Sequence, residues 1–228
     1  MPKLDPKRVS ISVGEATKVS GLLHVPPRAI ACYVLAHGAG AGMSHPFLST
    51  VASELYARNI ATLRYQFPYM EAKAKRPDPP KIAQVMVRAA VEEAARLTPK
   101  LPLFAGGKSF GGRMTSQAQA AEPLNGVRAL IFLGFPLHAA GRPSRDRGAH
   151  LSDIRIPMLF LQGTRDALAD LNELEALIAS LGKRATLKLF RDADHSFHVP
   201  AKSGHTDAEI MAGMMDAFAA FAAKMTPK

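Results

Sequence analysis

Within a chain of 228 residues, the stretch Gly107-Lys108-Ser109-Phe110-Gly111 sets one serine between two glycines, directly after an apolar run and ahead of a helix-compatible segment. Gly-x-Ser-x-Gly in that setting is the pattern of a nucleophile elbow, a sharp strand-to-helix turn that strains the serine backbone. The glycines let strand and helix come close, so Ser109 is expected to project alone. Its hydroxyl would stand near a helix N-terminus, where free N–H groups and the positive dipole end favour developing negative charge. A serine needs a base, and the base needs an acid to orient it. Asp166 follows the apolar run MLFLQ, and His195 follows TLKLF. The oxyanion of an acyl-transfer intermediate needs two N–H donors, one from the residue after the nucleophile and one from an earlier strand-end loop. Phe110 is the first candidate; Ala39, in His37-Gly38-Ala39-Gly40 after the run IACYVLA, is the second, with Gly40 its alternative. Losing one such donor typically costs about 3 kcal/mol of transition-state stabilisation. Histidine's ordinary pKa of about 6.5 suits His195 to taking and returning a proton near neutrality.

The elements that must position these groups can be read from hydrophobic period. Short apolar runs at 30–36, 61–65, 103–106, 129–133, 158–162 and 186–189 alternate with segments of helical period. That alternation predicts an α/β fold with a doubly wound, mostly parallel sheet, whose buried strands are nearly continuous in apolar residues. Residues 8–13 and 18–24 are expected to form an antiparallel hairpin at the sheet edge. Phe47, Val51 and Leu55 mark one helix behind Ser44 as its cap, and Ile82, Val85, Ala89 and Leu97 a second, both with those stripes facing the sheet. Leu171, Leu174, Leu177, Ile178 and Leu181 mark a third, ending at Gly182. Thr206 and Glu209 have capping-box spacing ahead of a last helix that buries Ile210, Met214, Phe218 and Phe221. Residues 66–80 and 135–152 are read as loops of the same fold, and no linker divides residues 1–228, so one domain is expected. Ligands in parallel sheets gather at the strands' carboxyl ends, which places Ser109, Asp166 and His195 on one edge.

Composition narrows the function classes. Hydrophobic residues make up 47% and charged residues 21%, enough apolar mass for a substantial core, which excludes disorder and low-complexity scaffolds. The single cysteine, Cys32, cannot form an internal disulfide and reads as a small buried hydrophobe. With no apolar stretch behind the basic start MPKLDPKRVS, a secretory signal is not expected, and a reducing, cytoplasmic setting fits. The apolar segment near the C-terminus is broken by Asp216 and too short for a bilayer, so no membrane partner is expected. A net charge of +10 invites nucleic acid, but tryptophan is absent, tyrosines number four, and no basic run interleaves with aromatics; nucleic acid is not an expected partner.

With those residues in place the sequence resembles the α/β-hydrolase superfamily, and within it small uncapped proteins similar to dienelactone hydrolases. LAHGAGAG, GGKSFGG, LFLQGTRD and DADHSF fall in family order from about residue 30 onward, and LHAAGRPS looks like a less characterised hydrolase-like subgroup. The resemblance implies an α/β-hydrolase fold without a cap domain, Ser109, Asp166 and His195 as a catalytic triad, and no cofactor. It departs from dienelactone hydrolases in having Ser109 where those have cysteine, and in holding only a short Gly/Pro/Arg-rich loop after the sixth strand.

Rival readings fit less well. A phosphate-binding P-loop ending at Ser109 would need glycine where Pro102 stands, and a dinucleotide fingerprint at Gly38 and Gly40 meets Met43 where its third glycine belongs. His198 competes with His195 as base, and Asp192, Asp194 and Asp170 compete with Asp166. His37 is expected to brace its loop, Lys108 to point to solvent, and His24, His138, His150 and His205 lack metal-ligand spacing, so no metal is expected. The function expected is a serine hydrolase, carboxylesterase-like, cleaving a small ester, thioester or lactone through an acyl-enzyme. Lys73, Lys75, Arg76, Arg142, Arg145 and Arg147, on two loops at the catalytic edge, suggest an anionic group on that substrate. The alternative is a non-catalytic interaction module that keeps the hydrolase fold.

Overall fold

A computed structural model describes residues 5–14 and 17–225. Residues 1–4 of the segment read for a signal lie outside the described residues. The strands are β1 (Lys7–Val13), β2 (Thr17–His24), β3 (Ala31–Ala36), β4 (Ile60–Tyr65), β5 (Leu103–Lys108), β6 (Val127–Leu133), β7 (Met158–Gly163) and β8 (Ala185–Phe190). They form one sheet in the order β1-β2-β4-β3-β5-β6-β7-β8. β1 pairs with β2, and β2 with β4, antiparallel; every other pairing is parallel. The expected hairpin and all six further expected strands are present, but the last, 186–189, lies at the sheet edge and is not a buried inner strand. β3 and β4 are buried along their whole length, as helices on both faces require, whereas the edge strand β8 alternates between half-buried and exposed positions.

Among the described residues six α-helices wrap the sheet: α1 (Pro46–Ala57), α2 (Pro68–Glu71), α3 (Pro80–Leu97), α4 (Phe110–Ala121), α5 (Leu171–Leu181) and α6 (Asp207–Met225). Apolar side chains divide into two cores. One holds Val34, Phe132 and Phe160 with α3, α4 and α5; the other holds Tyr33, Leu35 and Ile131 with α1 and α6. Alternation along β3 feeds both, since Tyr33 and Leu35 point one way and Cys32 and Val34 the other. α5 ends at Gly182, whose φ of 60° is the left-handed region that favours glycine. The expected capping box is made: Thr206 Oγ1 accepts from the Glu209 N–H at 3.2 Å, and Glu209 Oε2 accepts from the Thr206 N–H at 2.7 Å.

Two helix expectations are corrected. α1 is capped by His45, whose Nδ1 accepts from the Phe47 N–H at 3.2 Å, and not by Ser44, because the helix opens on Pro46 and the cap must immediately precede it. In α3, Ile82 and Val85 are 47% and 53% exposed; the buried face carries Ala83, Met86, Val87, Ala90, Val91 and Ala94. Small side chains allow close approach to β1 and α4, so the packed face is the alanine-rich one. The two long connections also contain structure: α2 lies inside 66–80, and a 3-10 segment (Asp146–Asp153) lies inside 135–152.

The strand order reverses between β3 and β5. The chain leaves β3 for β4 on one side, then crosses to β5 on the other, so the loops after β3 and β5 diverge and open a crevice at their carboxyl ends.

Candidate active site

Ser109 sits at that crevice, between β5 and α4, with φ 51° and ψ −116°. A non-glycine residue there is strained by about 1–3 kcal/mol and stays only where its surroundings over-determine it. They do so here through close packing: a Cβ on Gly107 would fall 2.3 Å from the Ala36 carbonyl oxygen, and one on Gly111 would fall 2.5 Å from that of His37. No side chain fits at either point, so the turn can hold only glycine there.

His195 and Asp166 reach Ser109 from the ends of β8 and β7. His195 Nε2 lies 2.8 Å from Ser109 Oγ, and its Nδ1 lies 2.7 Å from Asp166 Oδ2. Asp166 has a fully buried side chain and takes further hydrogen bonds from Gln162 Nε2 to Oδ2 and from the Leu168 N–H to Oδ1. A carboxylate so engaged is acceptor-only, which puts the proton of His195 on Nδ1 and leaves Nε2 open to accept from Ser109. Gln162 is a residue sequence reasoning missed. Buried at the end of β7, it also accepts from the Phe135 N–H at 2.8 Å, so it ties the Asp166 turn to the chain leaving β6.

The competing residues are occupied elsewhere. His198 is an exposed partner of Asp207, at 2.9 Å from Oδ2. Asp194 Oδ1 accepts from the N–H groups of Ser196 and His198, shaping the turn that carries His195. Asp170 caps α5 through the Glu173 N–H, and Asp192 sits at a left-handed position with φ 59°.

The Phe110 and Ala39 N–H groups have no hydrogen-bond acceptor among the described residues, whereas Gly40 N–H donates to Tyr69 Oη at 2.9 Å. The loop bearing Ala39 is braced from the β4 side. Arg64 Nη1 donates to the Met43 carbonyl at 3.1 Å, and the Met43 N–H donates to Gln66 Oε1 at 2.8 Å. His37 is fully buried and braces the loop as expected: its Nδ1 donates to the Gly38 carbonyl at 2.7 Å and its Nε2 accepts from the Phe67 N–H at 3.1 Å. Burial pushes its pKa down to about 4, outweighing the bond to Gly38, so it is neutral near pH 7.

A pocket of about 320 Å³ opens over Ser109, walled by Ala39, Phe47, Leu48, Leu168, His195 and Lys108 among others. Lys108 corrects the expectation that it points to solvent. Its Nζ donates to the His195 carbonyl at 2.6 Å and stands 5.6 Å and 5.9 Å from the ring centres of Phe197 and Phe47. The ammonium group is held near these ring faces by cation–π attraction instead of extending into water. Burial pushes its pKa down to about 8, against the opposing pull of Asp166 and Asp194. None of the six loop cations singled out for an anionic substrate lines this pocket; Arg145 pairs with Glu173 at 2.9 Å, and Arg147 donates to the His138 carbonyl.

Comparison with known proteins places the fold. A family model described as an alpha/beta hydrolase domain matches residues 29–223. Solved structures with the same fold include an α/β serine hydrolase without a lid from Xanthomonas campestris, at 21% identity and a TM-score of 0.73, covering 95% of each chain. A dienelactone hydrolase from Anabaena variabilis matches at 23% identity and a TM-score of 0.72, covering 97% of each chain. The esterase domain of a Rhodothermus marinus protein matches at 15% identity and a TM-score of 0.74, over 98% of this chain and all of that one. Among the described residues no helix is long and apolar enough to cross a membrane.

Proposed function

From the premise that the chain belongs to the α/β-hydrolase family, we propose that it is a serine hydrolase acting on a small carboxylic ester, thioester or lactone. The observation that carries this reading is the position of His195, 2.8 Å from the strained Ser109 and 2.7 Å from the buried Asp166. Ser109 Oγ attacks the carbonyl carbon as its proton passes to His195 Nε2. The imidazolium so formed is stabilised and held in orientation by Asp166, which stays ionised. Charge developing on the carbonyl oxygen is taken by the N–H groups of Phe110 and Ala39, the first of which also lies at the positive end of α4. Gly40 N–H serves Tyr69 instead, which supports Ala39 as the second donor. Collapse of the tetrahedral species expels the alcohol or thiol, protonated by His195, and leaves Ser109 acylated. Water, activated by the same imidazole, then releases the acid.

Substrate size follows from the pocket. At about 320 Å³ it admits a short acyl group, and between β6 and β7 there is only the 3-10 segment, with no inserted helical cap to enclose a long chain. A fluorophosphonate probe tests the proposal: it should label the wild-type chain and fail to label Ser109→Ala, with an ester panel turned over only by the former. Equal labelling of both would remove Ser109 as nucleophile. No labelling and no turnover from a well-folded wild type would favour a non-catalytic interaction module.

A further inference from the structure

Lys108 adjoins Ser109 in sequence, yet the hydrolytic steps above make no use of its charge. Its ammonium group has three N–H donors, of which one is given to the His195 carbonyl. No carboxylate lies within salt-bridge distance of it among the described residues. The nearest acids are committed: Asp166 to His195, Gln162 and the Leu168 N–H, and Asp194 to two backbone N–H groups of its own turn. A desolvated cation without a counterion is costly, and the cost is recovered when an anion binds beside it.

The surroundings hold the ammonium group in place. The rings of Phe47 and Phe197 flank the ammonium group. Gly134, with φ +71°, packs close against it: a Cβ there would lie 3.1 Å from Nζ and 3.5 Å from His195 Nδ1. Among the described residues Lys108 is also the one lysine or arginine in the wall of the pocket over Ser109. We infer that Lys108 is a specificity-determining residue, forming an anion subsite in that pocket that selects acyl groups ending in a carboxylate. The inference rests on the hydrolase reading and names the substrate class of the same site. It also moves the source of anion preference from the loop cations to the half-buried one that lines the pocket.

The experiment compares the mono-4-nitrophenyl esters of succinate, glutarate and adipate with neutral 4-nitrophenyl esters of matched chain length, for wild type, Lys108→Met and Lys108→Arg. The wild-type kcat/KM should favour at least one half-ester by tenfold or more over its neutral match, the range of a charge-assisted hydrogen bond. In Lys108→Met the ratio of half-ester to neutral ester should fall at least tenfold, whatever happens to either rate alone, and Lys108→Arg should restore part of it. The ratio separates charge recognition from any disturbance of His195, because both substrates meet the same imidazole. Should Lys108→Met not fold, titration of the wild-type chain with glutarate decides the matter: binding that weakens with salt and slows probe labelling of Ser109 is expected. No half-ester preference in wild type, an unchanged ratio in Lys108→Met, or no glutarate binding would overturn the subsite. Failure of the hydrolase reading looks different, since it removes probe labelling and turnover of neutral esters alike.

Discussion

Two serine–histidine pairs stand at opposite ends of one stretch of α4, and only one has the surroundings of a catalytic pair. Ser109 Oγ meets His195 Nε2 at 2.8 Å; Ser116 Oγ meets His150 Nε2 at 2.7 Å. Contact distance does not separate them, but proton direction does. Ser116 donates its hydrogen to the Arg113 carbonyl at 2.9 Å, so it must accept from His150, whose Nε2 carries the proton and cannot serve as base. His150 has no carboxylate on its other nitrogen; burial, reinforced by the Arg113 charge, pushes its pKa down to about 4. Ser116 lies within a regular helix, away from the pocket, while Ser109 is strained, sits beside free N–H donors and opens into it. A hydroxyl next to an imidazole is therefore a structural strut unless an acid behind the ring sets the tautomer.

The comparison breaks most sharply at the acid. Asp166→Asn should lower kcat for an ester by roughly 10³–10⁴-fold, because the amide can donate to Nδ1 and so favours the wrong tautomer. His150→Ala should leave turnover within about twofold while costing about 1 kcal/mol of stability, since it removes the hydrogen bond to Ser116, which still donates to the Arg113 carbonyl. Steady-state kinetics together with urea unfolding separate the two; loss of activity in His150→Ala, or its survival in Asp166→Asn, would reverse the assignment of roles.

Acid should expose the histidines that the fold keeps neutral. His37 and His150 have pKa values near 4 in the folded chain against about 6.5 when unfolded. Between those values the unfolded chain binds protons that the folded chain refuses, so stability present at pH 7 is lost as pH falls through this window and levels off below about 4. For the fully buried His37 the limiting loss is about 3 kcal/mol, at 1.36 kcal/mol per pKa unit. Urea midpoints measured from pH 7 to pH 4 should fall across that range, and midpoints that stay level would contradict the neutral assignment. A smaller effect is expected at Tyr69, which touches Gly40 and not the substrate. Tyr69→Phe frees the Gly40 N–H, loosens the Ala39 peptide, and should lower kcat about tenfold with KM little changed; a change confined to KM would place Tyr69 in binding instead.

Much of this was legible in the residues because burial on both faces leaves an unambiguous trace. β3, β5, β6 and β7 sit inside the sheet and are nearly all apolar, and the residues at their carboxyl ends converge once the strands are parallel. The convergence of Ser109, Asp166 and His195 on one edge of the sheet is readable for that reason. α3 was misjudged because pattern reading weights Ile82 and Val85 above alanine, whereas close packing against β1 and α4 favours Ala83, Ala90 and Ala94. The path of Lys108 was hidden for another reason: the rings that hold it, Phe47 and Phe197, come from distant parts of the chain. Gln162 carried a faint signal, a polar residue ending a strand otherwise buried and apolar, which asks for a partner just beyond it.

The chain's lone thiol also has a practical bearing. Cys32 is sealed inside β3, and burial pushes its pKa up to about 12, so it offers almost no thiolate at neutral pH. The native protein should therefore be silent toward maleimides and similar alkylating reagents. A cysteine engineered at any exposed position would be the one reactive sulfur, giving a clean handle for a fluorophore or a spin label without first removing the native residue.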